Sequence, residues 1–295
     1  MGDMNLNISR RFDITPGVYL EASLGANLPS GRSALNRKER YARTTGDLVE
    51  LDNFGQGLQY QSGVSITWRP AVFDRLTYGT SWNFSRWYDQ TSDIPDDDTK
   101  PGREWNHYLR YQHAESDWQL VAEIFNTRYE RSYFKNGGYY DTRPSWAYKL
   151  TYNTKLTSDQ ELMLYYWPER QTKSEGGLFA SKGSAHVDFY GLTWSKTWVG
   201  GHRLRLSYDR METDGSRFNG MRGNSASYSE VMGRRKNTFG IGYDYEINEN
   251  TSLSLDTRYF HMKDGKSSSY SGLIEPAVKY KGSGVFLVFN HNFSF

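Results

Sequence analysis

Apolar and polar residues alternate with a period of two along most of this 295-residue chain, in segments of about ten residues, the strand length that crosses a bilayer at a steep tilt. Between Leu58 and Trp68 the apolar positions are Leu58, Tyr60, Val64, Ile66 and Trp68, while Gln59, Gln61, Gly63, Ser65 and Thr67 take the opposite parity. Leu76, Tyr78, Trp82 and Phe84 repeat the pattern against Thr77, Gly79, Ser81, Asn83 and Ser85. Successive side chains of a strand point to opposite faces, so each segment predicts a strand with one apolar and one polar face. The same pattern predicts strands over Val18–Leu28, Trp105–His113, Trp118–Tyr129, Trp146–Leu156, Glu161–Trp167, Val187–Trp198, Arg203–Met211, Thr238–Ile247, Leu253–His261 and Val285–Phe295. Met4–Phe12 alternates too, with Met4, Leu6 and Ile8 on one face.

Connections between these segments switch regularly from short to long. Thr15-Pro16-Gly17, Ala71 to Arg75, Glu115-Ser116-Asp117, Thr157-Ser158-Asp159, Gly200-Gly201 and Asn248-Glu249-Asn250 are short. Pro29 to Asn53, Thr91 to Glu104, Lys135 to Pro144, Lys173 to Gly183, Gly215 to Gly233 and Asp264 to Glu275 are long and polar. A soluble sandwich has no reason to keep that asymmetry, whereas a membrane barrel with short periplasmic turns and long outer loops requires it. The expected fold is therefore all-β, a single transmembrane antiparallel up-and-down β-barrel of about 12–14 strands spanning residues 1–295. Counting Met4–Phe12 gives roughly thirteen strands; bacterial single-chain barrels are even-numbered, so twelve or fourteen is the expectation.

Composition fits this reading. The hydrophobic fraction is 37%, and no run of about 18 apolar residues exists to form a membrane helix. A barrel needs only every second strand residue apolar, which conceals a membrane protein inside a mean hydropathy of −0.79. The aromatic load is high, with 23 Tyr, 15 Phe and 9 Trp. Trp68, Trp87, Tyr88, Trp105, Trp118, Trp146, Trp167 and Trp198 fall near predicted strand ends, where amphipathic rings favour the headgroup zone. A net charge of +2 gives no general attraction for nucleic acid. With no cysteine and six scattered histidines, no metal site is expected and no cofactor is called for.

If the apolar face meets lipid, the polar face lines the lumen. Its basic members are Arg69, Arg110, Lys149, Lys155, Arg203, Arg205 and Arg258, and its acidic members Glu21, Glu123, Glu161, Asp209, Asp244, Glu246 and Asp256. The signs balance, which predicts weak ion selectivity, or opposed walls that orient a dipolar solute. A lattice of ion pairs bracing the barrel is the alternative use of the same charges. Tyr19, Tyr108, Tyr165, Trp167 and Phe286 share this face and could stack on sugar rings. The loop Pro29 to Asn53, with Arg32, Arg37, Lys38, Arg40 and Arg43, is the one long enough to plug the lumen.

The C-terminal segment, with Phe289, Phe293 and Phe295 on one face and Phe295 last, resembles the terminal strand of the porin-like bacterial outer-membrane β-barrel superfamily. That resemblance implies an outer-membrane location, contact with outer-membrane lipid, and delivery to the barrel assembly machinery through the strand ending in Phe295. Leu24-Gly25-Ala26-Asn27-Leu28-Pro29-Ser30-Gly31 is faintly similar to segments of porin-like transporters and of barrels fused to periplasmic repeats.

The expected function is passive passage of small hydrophilic solutes, saccharides among them, with no catalytic residue. Two alternatives stay open. One is the translocator of an export system for polysaccharide or polypeptide, with a periplasmic partner or fused upstream domain; Met1-Gly2-Asp3-Met4 is no secretory leader, so the chain is expected to be a mature form or part of something longer. The other is an outer-membrane hydrolase with a rim site, for which His186 and Asp188, two apart and so on one strand face, are the suitably placed pair.

Overall fold

A computed structural model describes residues 4–30, 57–87, 98–135, 137, 139–141, 144–171, 175–176, 181–182, 185–213, 216–222, 225–231, 233–265, 267–269, 274–275 and 279–291. A single antiparallel sheet of thirteen strands follows chain order. Its strands are β1 (Met4–Thr15), β2 (Val18–Leu28), β3 (Gln59–Trp68), β4 (Asp74–Ser85), β5 (Glu104–Ala114), β6 (Trp118–Tyr129) and β7 (Ser145–Lys155). They continue as β8 (Gln160–Gln171), β9 (Ala185–Trp198), β10 (His202–Thr213), β11 (Arg234–Asn248), β12 (Thr251–Asp264) and β13 (Lys279–His291).

This is an up-and-down antiparallel meander, and the thirteen strands of the sheet among the described residues fall within the expected 12–14. The segment at Met4 is a full strand, paired with β2 from Met4↔Leu28 to Thr15↔Val18. Its even-numbered side chains Met4, Leu6, Ile8, Phe12 and Ile14 lie exposed on the face that carries Leu24 of β2.

The molecule is inverted relative to a soluble protein. Among the described residues the buried apolar side chains are Val121, Ala147, Met211 and Met262, while Thr67, Thr77, Ser195, Lys236 and Thr238 are buried polar ones. Leu206, Ile241, Leu255 and Leu287 are 40%, 58%, 43% and 69% exposed, and they come from four adjacent strands. Apolar exposure on that scale marks a surface solvated by something other than water. Lipid is the solvent that makes such a face stable.

The short connections carry the local chemistry of tight turns. Gly200 and Gly201 have φ of +92° and +79°, a region glycine enters without steric cost, and they reverse the chain between Trp198 and His202. In the β7–β8 turn the Thr157 hydroxyl donates to Asp159 at 2.6 Å, holding that carboxyl below its ordinary range. At the opposite end the long connections continue past the membrane as β-structure. Thr99–Lys100, Ser132–Phe134, Tyr139–Asp141 and Glu175–Gly176 form a four-stranded sheet. Ser181–Lys182, Ser216–Arg222, Ser225–Val231, Ser267–Ser269 and Ile274–Glu275 form a five-stranded one. The plug candidates Arg32, Arg37, Lys38, Arg40 and Arg43, and the terminal Phe293 and Phe295, lie outside the described residues.

The lipid-facing assignment is directly testable. Ile241→Arg, at the middle of β11 on the outward face, should destabilise the protein folded in phospholipid vesicles by about 2–4 kcal/mol in a denaturant titration. Gln119→Arg, on the opposite face, should cost less than about 1 kcal/mol. Equal losses would show that the two faces do not see different solvents.

Candidate functional site: the luminal wall

The face opposite the apolar band is built by the odd-numbered residues of β8, β9 and β10 and the even-numbered residues of β11 and β12, a parity fixed by the pairings between these strands. Two adjoining hollows of about 570 and 430 Å³ lie along this wall and share Met163, Thr193 and Arg205. The first opens toward the short turns at Glu115–Asp117; the second runs along the wall past Tyr165, Asp209, Lys236 and Arg258.

Arg205 is the centre of the wall. Its Nε and Nη2 donate to the two carboxylate oxygens of Asp244 at 2.7 and 2.9 Å, and Nη2 also reaches both oxygens of Asp256 at 3.1 Å. Bidentate guanidinium–carboxylate pairs are among the stronger polar contacts available to a protein. The residue directly across from Arg205 is Gly242, and that permits the arrangement. A Cβ there would sit 2.5 Å from an Asp256 oxygen and 2.9 Å from Arg205 Nη2, so any side chain would push the three charges apart.

The same device recurs two layers nearer the outer loops. Tyr165 donates its hydroxyl to Asp209 at 2.7 Å across the intervening strand β9. Gly191 lies between them, where a Cβ would come within 2.6 Å of the carboxylate and 2.7 Å of the ring. Toward the short turns, Arg203 reaches Glu161 at 3.1 Å and the buried hydroxyl of Ser195 at 2.9 Å. Lys149 lies over the Trp167 ring at 5.5 Å, and Trp167 in turn packs on Phe189 at 5.5 Å.

Elsewhere Arg110 faces Glu123 at 3.6 Å, and the buried hydroxyls of Thr67 and Thr77 bond at 2.9 Å. Glu21 pairs across the sheet with Ser65, whose neighbour on the far side is Gly79, beneath the Tyr108 ring. Tyr19 sits near the turn end of the wall with Arg69 at 5.8 Å from its ring. Arg258 lies 5.8 Å from the Phe286 ring. Lys155 donates to the Ser116 carbonyl at 2.8 Å, and Glu246 packs against Gly201, so both belong to the turn-side rim.

Opposite charges on the described wall therefore stand side by side on neighbouring strands. Trp167 faces this wall and does not join the interfacial belt, whereas Trp68, Trp105, Trp146 and Trp198 lie on the outward face, each between 42% and 52% exposed.

Two participants were missed by the sequence reading. Lys236 lies on a strand extension beyond the predicted end, at an alternating position that continues from Thr238. Ser195 is one small polar residue among many, and only its 3% exposure and the Arg203 contact single it out.

Asp188 and His113 have structural partners. Asp188 is engaged by Arg170 at 2.9 Å and by the Tyr166 hydroxyl at 3.1 Å, on the outward surface. His113 contacts Asp74 at 2.8 Å through one ring nitrogen and Glu115 at 3.3 Å through the other, leaving neither nitrogen free to act as a base. Among the described residues no cluster of His, Asp and Glu forms a metal site.

No family model matches the chain, and no curated protein matches it. Solved structures do. OmpT (in-vitro folded), an outer membrane protein of Vibrio cholerae, matches 98% of this chain and 88% of its own length, with a TM-score of 0.51 at 9% identity. The FrpB iron transporter from Neisseria meningitidis matches 99% of this chain and 59% of its own length, with a TM-score of 0.49 at 10% identity. An anion-selective porin from Comamonas acidovorans matches 98% of this chain and 89% of its own length, at a TM-score of 0.43 and 11% identity. The likeness to the Vibrio cholerae protein is one of fold, and the fold of this chain is that of an outer-membrane β-barrel.

Proposed function

We propose that this chain forms a water-filled channel in the bacterial outer membrane for passive passage of small hydrophilic solutes, saccharides among them. The observation that carries the reading is the polar wall opposite the apolar band, with open volume along Arg203, Arg205, Tyr165 and Asp209. Eight strands already enclose a space that side chains fill, so a thirteen-strand meander leaves room for water. The buried Trp167 Nε1 has no protein acceptor among the described residues, so an indole donor stands ready for a solute hydroxyl. Because Arg205 is paired with Asp244 and Asp256 and Arg203 with Glu161, the wall carries little net field, and the channel should discriminate weakly between ions of opposite sign. Delivery to the assembly machinery through the strand ending in Phe295 belongs to the same proposal. The pairing of Asp188 and the doubly engaged His113 weigh against a rim hydrolase.

Single-channel recording in a planar bilayer with a salt gradient tests this. The protein should give steady open steps of near-neutral selectivity, and the double replacement Arg203→Glu with Arg205→Glu should move the reversal potential toward cation preference. Folding is verified first by the heat-dependent gel shift of the barrel; a folded wild-type protein that stays silent would overturn the channel.

A second outcome concerns stability. Arg205→Ala leaves Asp244 and Asp256 facing each other without a counter-charge, and should lower unfolding free energy by about 1–3 kcal/mol, below the cost of breaking a fully buried pair because the wall is partly wet. Adding Asp244→Asn to Arg205→Ala should recover part of that loss, and no recovery would mean that Arg205 acts through packing.

A further inference from the structure

The outward face of β9 to β13 changes character at the long-loop end. Directly opposed residues define its rows. One row reads Trp194, Leu206, Ile241, Thr257 and Val285, and the next toward the loops reads Leu192, Tyr208, Phe239, Tyr259 and Ser283. Beyond these come Tyr190, Arg210, Asn237, His261 and Lys281, and then Asp188, Glu212, Arg235, Lys263 and Lys279. An apolar band thus gives way to an aromatic row and then to a cationic one.

Arg235, Lys263 and Lys279 are nearest neighbours across three adjacent strands, and all three are exposed. Like charges placed directly opposite on adjacent strands destabilise a sheet. Local acids offset only part of this. Glu212 is shared by Arg210 and by Arg235, the latter at 3.3 Å, and Asp188 is taken by Arg170. Lys263, Lys279 and Lys281 have no carboxylate within ion-pair distance among the described residues. A surface that packs five basic residues into two rows and neutralises only part of them is arranged for an anion from outside the protein.

Height identifies the anion. Ile241 lies at the centre of β11, and Arg235 is about six residues nearer the outer loops. At about 3.3 Å per residue and a tilt of roughly 40°, the cationic row stands about 15 Å above the mid-plane, just outside the roughly 25 Å apolar band of an outer-membrane barrel. That is the level of lipid headgroups, and basic side chains at this depth attract anionic ones.

We propose that Arg210, Arg235, Lys263, Lys279 and Lys281 form a binding site for the phosphate groups of an outer-leaflet lipid, whose acyl chains lie along Phe239, Ile241, Tyr259 and Val285. The inference rests on the lipid-facing surface and is independent of conduction through the lumen.

Native mass spectrometry of the folded protein in zwitterionic detergent tests the proposal, with diphosphoryl lipid A, the same lipid stripped of its phosphates, and inorganic phosphate as probes. The diphosphoryl lipid should be retained and the dephosphorylated one should not. Replacing Arg235, Lys263 and Lys279 together by Gln should weaken retention on the order of a hundredfold, each cation contributing about a factor of five near an anionic surface. Arg128→Gln, a lone outward cation on β6, should leave retention unchanged, and single-channel conductance of the triple variant should stay at the wild-type value. Equal retention of both lipids, or of the lipid by wild-type and triple variant, would overturn the site. Displacement by millimolar inorganic phosphate alone would overturn its assignment to lipid.

Discussion

A strand in hydrocarbon has no water to satisfy its backbone, so each N–H and C=O must find a partner on a neighbouring strand. The twelve ladders that link the thirteen strands in chain order meet this demand along the strands between the two edges, apart from a gap between β7 and β8 at Pro168. The edges are the exception, because β1 and β13 both run from the long-loop side to the short-turn side. Side by side they could pair only in parallel, and an antiparallel closure needs one more strand running the other way. Among the described residues no ladder joins them. The outward apolar residues of the two edges, Ile8 at 76% and Leu287 at 69% exposed, are among the most exposed apolar side chains in the sheet.

The interior answers to a different constraint. Charges inside a narrow lumen are costly unless paired, and on this wall pairing depends on glycine as much as on charge. Arg205 stands opposite a residue with no side chain, so its guanidinium can lie across β11 and reach Asp244 on that strand and Asp256 on the next. Tyr165 crosses β9 over Gly191 in the same way. The wall is therefore braced by contacts spanning two strand intervals, which tie β8 to β10 and β10 to β12 beyond what the ladders do. A wall cross-linked in this manner keeps its shape while its charges stay paired.

Alternation made the strands legible. Val18–Leu28 and Trp118–Tyr129 were readable to the residue, because both their faces and their turns follow the simplest pattern. The partnerships that skip a strand were not, since a charge two strands away enters no local pattern: Asp256 and Arg205 are 51 residues apart in sequence. β8 was expected to end at Trp167 and runs on past Pro168 to Gln171. The proline has no N–H to give, and the β7–β8 pairing is interrupted between Ala147↔Glu169 and Leu150↔Tyr166, yet β9 holds the strand through Pro168↔Asp188.

Three further strand ends were misread for one shared reason, and it is physical. β11 was expected to begin at Thr238, β12 to end at His261 and β13 to begin at Val285, whereas the strands extend to Arg234, Asp264 and Lys279. In each case the apolar parity stops where outward positions become polar and then basic, Asn237 and Arg235, His261 and Lys263, or Ser283, Lys281 and Lys279, although the backbone continues to pair. A rule that looks for apolar residues on one face reports the thickness of the hydrocarbon and not the length of the strand. The difference between the two, the extra turn-outs at Arg235, Lys263, Lys279 and Lys281, measures how far the sheet rises through the headgroup layer. What the sequence reading lost at these three strand ends is thus the part of the sheet that carries the cationic row.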